Sequence, residues 1–332
     1  LKKYIFLLLL IVCEITVGYS QQTGYWQQQV NYQIDVTLND ADHSLDGYIK
    51  MDYINNSPDT LHFIWIHIWP NAYKNDRTAF SDQLLENGNT DFYFSRNEDR
   101  GYINRLDFKV NKTTAKTADH PAHQDIIKLI LPQPLLPKSS CNIETPFHIK
   151  LPNNFSRGGH MDKAYQITQW YPKPAVYDRK GWHPIPYLDQ GEFYSEFGNY
   201  SVQITLPEKY IVAATGIMQE KNISSHTVTK KIPVVENKKP VPGKKIVQAT
   251  TSVTVNENLQ TLRFVQNNVH DFAWFADQHF TVKTDTLQLP SSRVITVNAC
   301  YYPANEKIWC NSISFIKKAV LTKSKWLGEY PY

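Results

Sequence analysis

Residues 30–38 read VNYQIDVTL, and their alternation decides the fold class. Val30, Tyr32, Ile34, Val36 and Leu38 fall on one side of an extended chain, and Asn31, Gln33, Asp35 and Thr37 on the other. Successive side chains of a strand point to opposite faces, so this pattern predicts a half-buried strand. A second alternating run, 45–54, ends at the turn cluster Asn55-Asn56-Ser57-Pro58-Asp59. The run after it, LHFIWIHIW at 61–69, is apolar on both faces and predicts a covered strand. The three runs together imply a large antiparallel sheet with one buried layer.

Composition agrees. The chain has 332 residues, long enough for two domains. Aromatics make up 13%, with 20 tyrosines and 8 tryptophans, which favours strands over helices. The formal charge of +4, from 35 basic and 31 acidic residues, is too small to suggest nucleic acid as a partner.

Outward from the first strands, 71–100 is polar and irregular and reads as a long loop or short helices. Strand signals return at 102–110, 126–131 and 142–151, with Pro132, Pro134 and Pro137 breaking the ladder between the last two. The runs 199–206 and 210–215 suggest a hairpin around Pro207. Lysine pairs at 230, 238 and 244 read either as an anionic partner site or, more simply, as a solvated insertion between strands. Strands near 280–287 and 293–300 lead to a helix with Asn305 as its cap and Trp309, Ile313, Ile316 and Val320 on one stripe. Lys323 and Lys325 suit its last turn, Gly328 is its stop, and the closing KSKWLGEYPY is the end of that helix.

At the other end, Lys2 and Lys3 precede the apolar run Ile5 to Val12 and a polar stretch closing on Gly18 and Ser20. This predicts a secretory signal over residues 1–20, cleaved near Ser20, for an exported (periplasmic or extracellular) protein with no stable membrane span afterwards. The apolar run is shorter than the roughly 20 residues a bilayer span needs. Bulky Val12 before Cys13 disfavours lipid attachment there. Cys141, Cys300 and Cys310 remain; the last two are near enough in sequence to pair, but no spacing demands it.

Catalytic motifs are missing from these residues. His62 and His67 differ by an odd offset, which sends them to opposite faces of one strand, and His120 and His123 lie in a polar loop without a carboxylate at a useful position. The sequence contains no HExxH, GxSxG, Walker loop or GxGxxG. The densest cluster of unusual residues is 165–198, YQITQWYPKPAVYDRKGWHPIPYLDQGEFYSEFG. Prolines and aromatics at this density build a rigid, irregular ledge, read either as loop-rich core or as the lining of a cleft. In a cleft its polar groups would be Gln166, Gln169, Asp178 and Glu192.

This cluster resembles the aminopeptidase N family of zinc metallopeptidases, the gluzincins, and more closely their exported bacterial branch. The residues that carry the resemblance are Gln169-Trp170-Tyr171-Pro172, Val176-Tyr177-Asp178, Gly181-Trp182, Gly191-Glu192-Phe193-Tyr194 and Glu196-Phe197-Gly198. Ala213-Ala214-Thr215-Gly216, Val269 to Trp274 and Gly328 to Tyr332 follow in the same order, so the likeness spans roughly residues 25–332. The resemblance implies a saddle-like antiparallel β-sandwich over 21–276, then the first strands and helix of an incomplete thermolysin-like α/β catalytic domain over 277–332. It also implies one Gln or Glu that accepts hydrogen bonds from the α-ammonium of a peptide substrate, because an ammonium is a pure donor. Gln166 is the first match and Gln169 its rival. The zinc of the family, its HExxH and its downstream ligand have no counterpart in these residues, so the chain alone is expected to bind no metal and to be inactive. The alternatives are a stand-alone, non-catalytic β-sandwich binding or scaffold module and a degenerate relative.

Overall fold

The computed structural model describes residues 25–233 and 250–332. The expected signal sequence at 1–20, Cys13 and the lysine pairs at 238 and 244 lie outside the described residues.

The first strands follow the alternation. β1 (Gln29–Asn39), β2 (Ser44–Ile54) and β3 (Leu61–His67) come first among the described residues. Val30, Tyr32, Ile34, Val36 and Leu38 are all buried. In β3, Ile64 and Ile66 enter the core, whereas Phe63 and Trp65 are half-buried on the other face. The segment 71–100 carries a helix, α1 (Ala79–Glu86), capped by the Thr78 side chain accepting from Ser81 N. Its Phe80 and Leu84 join Trp69, Tyr73, Phe92 and Tyr187 in a small aromatic core of their own.

Short strands β4 (Tyr102–Asn104), β5 (Lys109–Val110), β6 (Thr113–Thr114) and β7 (Lys116–Asp119) precede β8 (Ile126–Leu135) and β9 (Ser140–Lys150). Pro132 and Pro134 do not end β8. The strand runs through them with a register shift opposite Leu61/Phe63, and its pairing to β7 stops at Ile130, so the prolines sit where one neighbour is lost.

The aromatic cluster forms β10 (Gly159–Met161), β11 (Ala164–Ile167), β12 (Lys173–Pro174), β13 (Val176–Asp178) and β14 (Gly181–His183). After it come β15 (Gly198–Pro207), β16 (Ile211–Ala214), β17 (Ile217–Pro233), β18 (Thr250–Val269) and β19 (Trp274–Asp277). The expected hairpin around Pro207 does not form. β15 lies in a nine-stranded sheet ordered β17-β18-β15-β1-β2-β9-β5-β6, with β4 also on β9. β16 belongs to a different sheet, β10-β11-β19-β16. Two adjacent alternating runs joined at a proline can turn from one layer into another, and the pattern itself is blind to that choice.

The large sheet is antiparallel except where β1 and β15 run parallel, Tyr32 opposite Tyr200. Backbones approach closely at that seam. A Cβ on Gly198 would lie 1.6 Å from Val30 O, so only glycine fits. A third sheet, β12-β3-β8-β7, and the β10–β19 sheet cover the large sheet, and one continuous core fills the space between. This is a mainly β sandwich.

The last part of the chain is the hairpin β20 (Thr281–Gln288) and β21 (Val294–Tyr301), a 3-10 turn at 303–305, then α2 (Glu306–Trp309) and α3 (Ser312–Leu327). The single expected helix is broken at Cys310–Asn311, and Asn305 makes no side-chain cap bond. Ile313, Ile316 and Val320 pack on Leu287, Leu289 and Val297 of the hairpin segment, whereas Trp309 is 50% exposed and leaves the stripe. Cys141, Cys300 and Cys310 are free thiols. No helix among the described residues is long and apolar enough to cross a membrane.

Candidate functional site

The two glutamines go to different environments. Gln169 sits at the turn between β11 and β12 with φ +51°, and its side chain is drawn inward. Its Nε2 donates to Asp271 Oδ2, and its Oε1 accepts from Lys173 Nζ at 3.1 Å. Lys173 also donates to Asp271 Oδ1 at 2.7 Å, and Tyr171 OH donates to the same oxygen at 2.9 Å. The backbone N–H of Phe272 is a further donor to Asp271 Oδ1, at 2.8 Å, and Tyr171 OH meets Tyr200 OH at 3.0 Å.

Lys173 is 1% exposed, which is rare for lysine unless the ammonium is paired. Proline neighbours at 172 and 174 and the β12–β3 pairing of Lys173 with His67 fix it in the interior. Burial pushes its pKa down, and Asp271 pulls part of that back. Burial pushes the Asp271 carboxyl up, but the Lys173 charge and the hydrogen bonds it accepts outweigh this and hold its pKa below the ordinary value. Both polar ends of Gln169 are thus committed to an internal ion pair.

Gln166 lies on β11 between buried Tyr165 and Ile167, so it faces the other side of the sheet and is half-buried. Its cross-strand partner on β19 is Phe275, 37% exposed, and Phe275 in turn faces Ala213 of β16. Directly opposed residues share a face, so Gln166, Phe275 and Ala213 form one row across three strands. Ala213 also lines a cleft of about 700 Å³ that reaches to Ile295, Cys300, Tyr330 and Tyr332. Cavities of this size accommodate small organic ligands. Gln166 itself is not in the lining.

The other two polar groups of the cluster differ again. Asp178 accepts from His183 at 2.9 Å and from Tyr194 OH at 3.2 Å. Burial raises its pKa, but the His183 and Lys180 contacts leave it lowered. Glu192 is exposed.

No protein-family model matches the sequence, and no curated protein is significantly similar to it. Solved structures do match. A two-domain M1 zinc metallopeptidase mutant bound to L-tryptophan matches 93% of this chain and 56% of its own, with TM-score 0.51 and 13% identity. Aminopeptidase A of Legionella pneumophila, in complex with aspartic acid, matches 94% of this chain and 28% of its own, with TM-score 0.52 and 11% identity. The fold is that of M1 zinc metallopeptidases. At such identity the likeness is one of fold, and the chain spans about half the length of the first of these proteins.

Within the M1 fold, the described residues contain no group of three or more His, Cys, Asp or Glu side chains placed to hold a metal ion. His120 and His123 stack on each other with ring centroids 5.1 Å apart, and the buried His67 accepts from Ile185 N. The zinc of these relatives finds no fitting donor set there, and no chemical step is assigned to it. Sequence reasoning missed Lys173 and Asp271 as a pair, because they are 98 positions apart. The only hint was a lysine between two prolines inside an aromatic run.

Proposed function

We propose that this chain is the N-terminal region of an exported zinc aminopeptidase and that it supplies substrate recognition rather than hydrolysis. The observation that carries the reading is the likeness to M1 metallopeptidases over nearly the whole of this chain, matched to about half or less of theirs. The order of the motifs from Gln169 to Tyr332 supports it independently. The two relatives are bound to free amino acids, ligands that carry an α-ammonium. Gln166 is the candidate acceptor for that ammonium, since its half-buried amide lies on the sheet face that continues into the cleft, while Gln169 is occupied by Asp271 and Lys173. Residues 1–20 direct export, and 277–332 open the catalytic domain.

The test compares this chain alone with the same chain extended by the residues encoded after it, each assayed for bound zinc and for cleavage of an aminoacyl anilide. The extended protein is expected to bind zinc and cleave, and the shorter one to do neither. In the extended protein, Gln166→Ala removes a hydrogen bond to a charged group, about 1.5–3 kcal/mol, and raises KM for free-amine substrates by at least tenfold. Stoichiometric zinc and hydrolysis by the 332-residue chain would overturn the assignment. An extension without a zinc-binding motif would favour the non-catalytic β module.

A further inference from the structure

Residues 190–197 form an irregular strap between β14 and β15, tied down along its length. Gln83 and Gln190 exchange hydrogen bonds, and Arg157 donates to the carbonyls of Asp189 and Gly191. Phe193 packs on Trp69 with centroids 4.8 Å apart, and Val30 N donates to Phe197 O. Between the Tyr194 and Phe197 anchors the strap pushes Glu196 inward, to 2% exposure.

This carboxyl group is out of place. Neither oxygen has a hydrogen-bond partner of normal geometry, and the Tyr53 hydroxyl beneath is also without one. The polar groups that face it are the Gln27 side chain from the N-terminal segment, Tyr177 and Asp178 from β13, Tyr53 from β2, Tyr32 from β1 and Tyr194 from the strap. None of these is a cation, and His183 on β14 is hydrogen-bonded to Asp178. The Gln27 side chain and the Tyr177 N–H lean toward it and favour the charged form, but burial without a cation outweighs them, so the carboxylate is disfavoured and the neutral acid is tolerated.

We propose that Glu196 is a proton-operated latch: neutral, it holds the 190–197 strap closed over Tyr53, and ionised, it drives the strap outward. Burial pushes the carboxyl pKa up to about 7 against the lowering pull of the Gln27 and Tyr177 N–H hydrogen bonds, and the Asp178 charge adds a smaller push upward. Once the strap opens, the group regains an ordinary value near 4.5. The closed form therefore binds the proton more tightly. Its advantage is full at low pH, declines as pH rises between the two values, and is spent above about 7. The strap also carries Tyr194, so opening frees Asp178 and the β13–β14 hairpin from one of their contacts.

The experiment is amide hydrogen exchange at residues 193–197 between pH 5 and 8, corrected for intrinsic rates, in the full chain and in Glu196→Gln. In the unsubstituted protein the open population should rise about tenfold per pH unit up to about pH 7 and then level off. In Glu196→Gln it should stay low and flat. A flat profile in the unsubstituted protein, or an equal rise in the variant, overturns the proposal. If the variant does not fold, the glutamate side-chain carboxyl resonances, followed by NMR with glutamate-selective labelling, decide. One resonance titrating near 7, together with the pH-dependent exchange at 193–197 of the unsubstituted protein, sustains the latch, and no such resonance sinks it. Asp125, also displaced upward, to about 6, accepts from Tyr187 N, but a glutamate label does not report it.

Discussion

Asp271→Asn tests the centre of the sandwich. The carboxylate accepts from Lys173, Tyr171, Gln169 and the Phe272 N–H, and Lys173 has no route to water. Neutralising Asp271 leaves the ammonium buried with neutral acceptors alone, Gln169 Oε1 at 3.1 Å and the amide oxygen of the new side chain. Removing one partner of a buried ion pair costs about 3–5 kcal/mol. At about 2–4 °C per kcal/mol, that lowers Tm by roughly 10 °C. Lys173→Met, which strands the carboxylate instead, should cost a similar amount. Combining the two should recover much of the loss, because Gln169 can turn its amide over and offer its oxygen to the new amide. Urea unfolding of the four proteins provides the double-mutant cycle. The acid limb carries a second signature. The folded-state pKa of Asp271 is lowered, so its stabilisation is present above the ordinary carboxyl pKa and lost as pH falls through the lowered value. Asp271→Asn should flatten that limb. Single variants within about 1 kcal/mol of the parent, or a double variant whose cost is the sum of the two, would refute the reasoning.

Gly198→Ala places a Cβ against Val30 O and should cost roughly 3 kcal/mol by overpacking; near-neutral denaturant unfolding would show that β1 and β15 are not pinned together there. Asp125 has a raised pKa, so the folded state favours its acid form and loses stability as pH climbs from about 4 to about 6. Asp125→Asn keeps an acceptor for Tyr187 N–H and should gain roughly 2–3 kcal/mol on the parent across that window, measured by urea unfolding at each pH. Gln169→Ala should lower Tm, whereas Gln166→Ala should leave it within about 1 °C, since exposed or half-exposed sites without internal partners seldom matter by more than about 0.5 kcal/mol.

How much of this was legible in the sequence depends on the range of the interaction. The alternation of 30–38 and 45–54 is local, and β1 and β2 appear where it placed them. Layer assignment is not local: 199–206 and 210–215 were legible as strands, yet the sheet each joined was set by partners at 29–39 and 274–277. The segment 71–100, legible as a long loop or short helices, holds the short helix α1, whose place within it was not legible because Phe80 and Leu84 make too short a stripe to rise above polar neighbours. The aromatic density of 165–198 marked the right region. It did not separate Gln166 from Gln169, as that depends on a positive φ and on Asp271, neither of which leaves a trace nearby. Glu196 was legible only as part of a motif, since a buried carboxylate looks like any surface glutamate in sequence.

The parallel β1–β15 seam also dictates when the protein becomes a protein. Asn199 N donates to Asn31 Oδ1 across 168 positions, so the first strand to emerge waits for a partner from far along the chain. Contacts of such separation form slowly because a long loop must be ordered before any of them is rewarded. Meanwhile β1 and β2 can pair locally, leaving one edge of β1 with its Val30-to-Leu38 row uncovered, a template for neighbouring chains. Synthesis that pauses before residue 207 therefore leaves a sticky hairpin, and arrival of β15 and β18 both finishes the sheet and removes that hazard.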